Sequence, residues 1–207
     1  MKKFELTTDT KMHFGRKLFR IKALVSFGDV KEGTLGGYVE KEENLDHEGN
    51  AWVYDDAWVC DNAKVYGNAW VCGNAMVCDR AMVRGSAKVY DDAWVCDNAD
   101  VYGNACVYGD AKVYGNAMVC GSACVCGDAR LCGNTDYATV KGFGTQCRST
   151  TFFRCEDRKI RVACGCFKGT IEDFRKRVKA TRSGKIEKEY LMIADLMELH
   201  FEEESEE

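Results

Sequence analysis

The central part of the chain repeats one six-residue pattern of apolar and polar positions. An alanine occupies every sixth residue from Ala51 to Ala129, 14 in succession, and an aliphatic residue follows each alanine by two positions, from Val53 to Leu131. The first four residues of each unit alternate apolar and variable positions, which is the spacing of a β-strand. The last two are almost entirely Gly, Asp, Asn or Ser, which favour turns. The pattern predicts a short strand and a bend in every unit.

Strands this short cannot bury their apolar residues alone, so the units must stack in coils. The pattern resembles the hexapeptide-repeat superfamily, in which a small residue follows an aliphatic residue by four positions, as Ala57 follows Val53. That family forms left-handed parallel β-helices of triangular section. The resemblance therefore implies that three units complete one coil and that the coils stack into an all-β solenoid.

Two further features narrow the resemblance. Tyr or Cys often follows the aliphatic residue, and the segment 33–39 (Gly-Thr-Leu-Gly-Gly-Tyr-Val) precedes the array. Both are similar to the YdcK-type β-solenoid proteins of bacteria and their phages. Val39 and Leu45 are also six positions apart, whereas Leu45 and Val53 are eight apart. We therefore expect the solenoid to begin before the regular array, with a two-residue register adjustment in its first coil.

The chain ends predict a cap on each side of the solenoid, which would span residues 35–134. Residues 1–34 contain alternating stretches suited to an N-terminal β cap. Residues 135–207 predict a small C-terminal α/β capping module, with strands at 151–155 and 160–164 forming a hairpin. Two helices then follow, the first capped by Thr170 and the second over 190–201, before an acidic tail.

Composition places the chain among folded proteins. Hydrophobic residues make up 46% and charged residues 30% of the 207 residues, which excludes a disordered chain. The first residues lack the apolar core of a signal peptide, and no apolar run is long enough for a membrane span. We expect a cytoplasmic protein without membrane contact. Its 13 cysteines would then be reduced, so they do not predict a disulfide scaffold.

The histidines argue against an enzyme. Hexapeptide acyltransferases use a histidine base, an inserted loop and a coenzyme A groove, whereas none of His13, His47 and His200 lies in the 14 regular units. We therefore predict no catalytic residue and no cofactor. The alternative is an acyltransferase that binds acetyl-CoA in an intersubunit cleft, with His47 as the only candidate base.

Residues separated by three units should lie directly above one another, so Cys60, Cys78 and Cys96 form one ladder. A line of thiols does not supply the tetrahedron that zinc favours, and we interpret the ladder as packing, without a metal. Asp56, Asn74 and the three aspartates above them form a corner column, interpreted as turn chemistry. Ion binding by either column stays open.

Large apolar side chains occupy outward positions before the valines. Aromatic residues grouped on a surface favour a protein contact. We therefore predict a protein interface and a homo-oligomer, trimer or dimer; the alternative is that the caps fold over these faces. The interface residues are Trp52, Trp58, Trp70, Trp94 and Met76.

Basic residues concentrate near the end of the chain, with 14 basic and 5 acidic residues between positions 141 and 188. Such a region can attract nucleic acid or another anionic partner, although a solvated surface or a protein contact would also explain it. The candidate residues are Arg154, Arg158, Lys159, Arg161, Lys168, Arg175, Lys176 and Arg177.

The function predicted from these features is non-enzymatic. A rigid solenoid presents flat faces with little loss of entropy on binding, which suits a protein-interaction or structural module. A phage-encoded protein that blocks or sequesters a host factor is one form of this hypothesis.

Overall fold

The computed structural model describes residues 1–202, and the predicted acidic tail beyond Glu202 lies outside the described residues. The chain begins with an antiparallel hairpin of β1 (Phe4–His13) and β2 (Arg16–Ala23). Strand β3 (Leu35–Val39) pairs antiparallel with β2 and parallel with the first regular coils. The hairpin therefore continues one face of the solenoid past its lower end.

The repeat array forms 14 strands of two residues each, one in every six-residue unit. They are β4 (Trp52–Val53), β5 (Trp58–Val59), β6 (Lys64–Val65), β7 (Trp70–Val71), β8 (Met76–Val77), β9 (Met82–Val83), β10 (Lys88–Val89), β11 (Trp94–Val95), β12 (Asp100–Val101), β13 (Cys106–Val107), β14 (Lys112–Val113), β15 (Met118–Val119), β16 (Cys124–Val125) and β17 (Arg130–Leu131).

Each strand pairs in parallel with the strand three units farther along the chain, so the array has three faces. Val59 lies opposite Val77, and Val77 lies opposite Val95, so paired residues are three units apart. Face A contains β3, β5, β8, β11, β14 and β17; face B contains β4, β7, β10, β13 and β16; face C contains β6, β9, β12 and β15. The prediction of an all-β solenoid of stacked hexapeptides is confirmed, with about five turns. Its left-handedness stays a prediction.

The repeated alanines and valines form the core of the solenoid. Their exposed fraction is 0–1% at every position of the array. Small and branched side chains alternate along each strand, so successive layers fill the narrow interior. Each buried valine side chain contributes roughly 1.5–3 kcal/mol to the free energy of unfolding. The stack therefore gains a similar amount from every unit.

The corners require left-handed backbone. Asp61 has a φ of 58° and Gly103 a φ of 73°, and Asp or Gly occupies the equivalent place in the other bends from Asp55 to Gly127. At several glycines the next coil passes so closely that a Cβ would meet its backbone, as Gly103 would meet Gly121 at 3.0 Å. The two-residue bends thus explain the Gly, Asp and Asn that end each unit.

The first coil carries the predicted register adjustment. Tyr38 pairs with Trp58, and Leu45 bridges to Val65, so the partners in each pair lie two positions farther apart in sequence than in the regular coils. In this coil the side-chain amide of Asn44 donates a hydrogen bond to the Ala63 carbonyl of the next coil, at 2.9 Å. The solenoid therefore begins before the regular array, as expected.

The C-terminal module is a four-stranded antiparallel sheet with two helices. The strands are β18 (Tyr137–Phe143), β19 (Arg148–Arg154), β20 (Ile160–Cys164) and β21 (Phe167–Thr170), and the helices are α1 (Ile171–Thr181) and α2 (Gly184–Phe201). The predicted hairpin is the inner pair, β19 and β20. The sheet also has two outer strands that the sequence analysis did not predict. Thr170 caps α1 by accepting the N–H of Asp173, as expected.

The module contacts the upper end of the solenoid. Ala129 forms an antiparallel bridge with Cys155, and the Cys124 N–H donates to the Thr151 hydroxyl at 3.0 Å. Phe153 and Cys155 pack against the solenoid core. The upper strand edges are thereby partly covered, which limits strand addition. The division of the chain at 34/35 and 134/135 stays a prediction.

Candidate interaction surfaces

The N-terminal segment covers part of the predicted aromatic surface. Trp52 is fully buried, and the rings of Phe4 and Phe27 lie 6.2 and 5.3 Å from its ring. Trp58 is 6% exposed because Leu18 packs against it, and Met76 is 5% exposed in the same cluster. These three residues are buried in this conformation, with residues of the N-terminal segment beside Trp52 and Trp58. Their part in a protein interface stays a prediction.

Trp70 and Trp94 remain half-buried. Lys88 holds its ammonium group 4.7 Å from the Trp70 ring centre, and Lys112 lies 4.4 Å from that of Trp94. Each lysine lies on the next coil of the same face and forms a cation–π contact with the tryptophan ring below it. A contact of these two tryptophans with another protein stays a prediction.

Several of the predicted anion-binding residues pair with acidic groups of the chain. Arg175 on α1 binds Glu198 and Asp195 on α2, the latter at 2.5 Å. Arg161 lies 3.0 Å from Asp157. These carboxylates reduce the positive potential that would attract an anion.

The other candidates lie on different elements. Arg154 lies 3.6 Å from Asp136, Lys168 lies over the Tyr108 ring and Lys176 lies 3.7 Å from Asp173. Three are exposed on the β19–β20 turn and on α1: Arg158, Lys159 and Arg177. Binding of nucleic acid or another anionic partner by these residues stays a prediction.

His47 lines a groove of about 690 Å³ at the lower end of face C, together with Leu45, Tyr66 and Met82. Its Nδ1 accepts the N–H of Lys3 at 3.1 Å, and its Nε2 lies 2.9 Å from Glu42 Oε1. A neutral ring with the proton on Nε2 satisfies both contacts, so no lone pair is free to take a proton from a substrate.

The partner of His47 is held as an anion. The Lys2 ammonium group, 3.0 Å away, and the His47 ring keep the pKa of Glu42 below its usual range. Glu42 therefore stabilises the histidine and the N-terminal residues at the lower end of the solenoid. In this arrangement both ring nitrogens of His47 have partners within the chain, and a role of His47 as a base stays a prediction.

Helix α2 presents an apolar stripe to solvent. Met192, Leu196 and Leu199 are 70%, 55% and 64% exposed. Their spacing of four and three positions places them on one side of the helix, opposite the buried Ala194 and Met197. Large apolar side chains grouped in this way mark a contact surface.

Helix α2 was predicted from the sequence, but its exposed apolar stripe was not. The spacing of Met192, Leu196 and Leu199 by four and three positions could have indicated the stripe. The predicted helix began only at residue 190, however, which shortened the pattern. The helix begins at Gly184, and the longer helix places Lys185 and Lys188 at the N-terminal end of the same stripe. Neither helix combines the length and apolar composition that a bilayer span needs, among the described residues.

Comparison with known proteins identifies the repeat. Residues 111–127, which contain β14, β15 and β16, match the family model described as the YdcK beta solenoid repeat. No curated protein matches the chain significantly. With this repeat and about five stacked turns, the chain fits a YdcK-type β-solenoid.

Proposed function

We propose that the protein is a non-enzymatic interaction module whose copies associate through the stripe of α2. The observation that carries this proposal is the exposure of Met192, Leu196 and Leu199 along one helix side. Burying these side chains against a second copy removes apolar surface from water at about 25 cal/mol per Å².

Charge favours an antiparallel arrangement of the two helices. The stripe begins with Lys185 and Lys188 and ends beside Glu202, and the sequence continues with four more glutamates in 203–207. A two-fold axis across Leu196 places the basic end of one helix beside the acidic end of the other. Such an isologous contact closes as a dimer.

One helix pair buries less than the roughly 800 Å² per partner of a stable interface. We therefore expect a dimer that dissociates on dilution. This dimer replaces the tryptophans as the surface for self-association, and it leaves faces B and C of the solenoid free for another protein. A host factor blocked by a phage-encoded solenoid would bind there, with Trp70 as one proposed contact.

Light scattering after size-exclusion chromatography tests the association. The wild-type mass should rise from 23.2 kDa toward twice that value as the concentration increases. Leu196→Asp should keep the lower mass at all concentrations with an unchanged circular dichroism spectrum. Met118→Asp is the matched control, because Met118 is 43% exposed and lies on face C of the solenoid instead of on α2.

A wild-type mass of 23.2 kDa at every concentration would refute the dimer. An equal loss of mass in the Met118 control would place the contact on the solenoid. The non-enzymatic assignment has its own test: isothermal titration with acetyl-CoA should show no saturable binding. A low-micromolar complex would favour the transferase hypothesis instead.

A further inference from the structure

Three cysteines lie above one another at one corner of the solenoid. Cys60, Cys78 and Cys96 each follow a strand of face A, and these strands pair in register. All three thiols are free; Cys60 is buried and the other two are half-buried. The sulfur atoms of Cys78 and Cys96 lie within 4.8 Å of each other.

A column of carboxylates runs beside the thiols. The aspartates that follow the three cysteines are Asp61, Asp79 and Asp97, with φ angles of 58°, 60° and 57°. The Cys78 thiol donates to Asp79 Oδ2 at 3.4 Å. Asp79 Oδ2 also accepts the Asp97 N–H at 3.2 Å. The backbone of the next coil therefore fixes the carboxylate beside the thiols.

Cys78, Asp79 and Cys96 form a three-ligand group. One ligand atom from each lies within 4.8 Å of the other two, the only such group found among residues 1–202. A line of thiols cannot surround an ion, but the Asp79 oxygen lies beside that line and supplies a third direction. Zinc requires ligand distances of about 2.0–2.3 Å, so binding requires these three side chains to adjust around the ion.

We propose that Cys78, Asp79 and Cys96 bind a thiophilic divalent cation, Zn²⁺, with water as the fourth ligand. Two sulfur ligands favour zinc over magnesium or calcium, which take oxygen ligands. On binding, each thiol gives its proton to solvent and its sulfur lone pair to the ion. One coil below, Arg16 already binds Asp61 at 2.5 Å, which favours the site at the second and third cysteines.

The chain contains matched controls for both kinds of ligand. Cys106 and Cys124 stack in register on face B, but a valine follows each of them. Asp91 has the same turn geometry as Asp79, with a φ of 60°, and accepts the Gly109 N–H at 3.3 Å, but it follows a tyrosine. The first pair has stacked thiols without the following carboxylate, and Asp91 has the carboxylate without the preceding thiol.

The experiment uses the full chain, reduced with a phosphine and stripped of metal by a chelator. Zn²⁺ binding is measured by competition with a chromophoric chelator, and Cd²⁺ reports thiolate ligation through its ultraviolet charge-transfer band. We expect one tight equivalent of Zn²⁺ in the wild type. Cys78→Ser and Asp79→Asn should each weaken that equivalent at least about tenfold, whereas Cys106→Ser and Asp91→Asn should retain it.

Three results would overturn the site. The wild type could take up no Zn²⁺, Cys78→Ser could bind like the wild type, or Cys106→Ser could lose as much affinity as Cys78→Ser. Circular dichroism shows whether each variant is folded. If Cys78→Ser does not fold, Asp79→Asn decides, because the amide keeps the shape of the carboxylate: unchanged affinity contradicts the proposal and weakened affinity supports it.

Discussion

The solenoid and the C-terminal module bury apolar residues in different ways. In the solenoid, alanine and valine fill each layer, and each strand pairs with its equivalents one coil above and below. In the module, Phe152, Phe174 and Phe201 meet in one cluster although they come from a strand and two helices. The repeat thus supplies a uniform scaffold, whereas the module depends on single large side chains. The exposed stripe of α2 belongs to the module, so the proposed contact between copies lies in the non-repeated part.

A charge inside the solenoid should have the largest effect on its stability. Val95→Asp places a carboxylate at a position with 0% exposure, in the middle of face A. An unpaired buried charge costs several kcal/mol, and the coils on both sides lose their neighbour. We expect loss of the β-type circular dichroism spectrum. Lys88→Asp, at an exposed outward position, is the control and should stay folded. A normal melting curve for Val95→Asp would contradict the inward assignment.

A change in the module core should have a large but local effect. Phe174 is 3% exposed and packs against Phe152 and Tyr190. Phe174→Ala should destabilise the module by about 3–5 kcal/mol, because it leaves a cavity. Limited proteolysis should then cut within residues 137–201 while the coils stay intact. Equal loss of both regions would show that they unfold as one body.

Glycine substitutions at the corners of the solenoid should have a smaller effect on stability. Gly103→Ala and Gly121→Ala both place a Cβ at positive φ, which costs roughly 1–2 kcal/mol. Only the first also meets the backbone of the next coil, at 3.0 Å, so its midpoint of urea unfolding should be the lower one. Gly103→Asp should recover part of the loss, because Asp97 in the same turn position accepts the Gly115 N–H at 2.9 Å. Identical midpoints for the two alanine variants would argue against close coil contact.

The smallest expected effect concerns pH at the junction of the two regions. Burial raises the pKa of the Cys126 and Cys155 thiols above the usual range. The stabilisation from keeping these thiols neutral is fully present below the pKa of an unfolded cysteine and is lost as pH rises through the folded values. The melting temperature should therefore begin to fall near the pKa of an unfolded cysteine, about pH 8, and keep falling as the pH rises further. Cys155→Ala should flatten that decrease, and an unchanged slope would exclude this thiol as a contributor.

The solenoid could be predicted from the sequence because the same six-residue pattern of apolar and polar positions occurs 14 times in succession. The spacing of eight between Leu45 and Val53 also indicated the register change. The surface of the scaffold could not be predicted as well. Trp52 and Trp58 occupy outward positions, but their burial depends on a hairpin at the very start of the chain. Such long-range packing leaves no periodic signal.

The module was predicted in part. Ile171, Phe174 and Val178 follow the helical period of α1, and all three are buried. Strand β18 was missed because none of its residues is buried: three are half-buried and four are exposed. The position of the Asp79 carboxylate beside the Cys78 and Cys96 thiols could not be predicted either. The six-residue period shows that the two cysteines stack, but it does not show where the side chain of a turn residue points.

Amide hydrogen exchange, followed by mass spectrometry at a low and a high protein concentration, tests the division of roles directly. Peptides from the central coils, residues 58–119, should exchange slowly and equally at both concentrations. Peptides covering 184–202 should become more protected at the higher concentration. Concentration-dependent protection of the coils, with none in α2, would contradict the account.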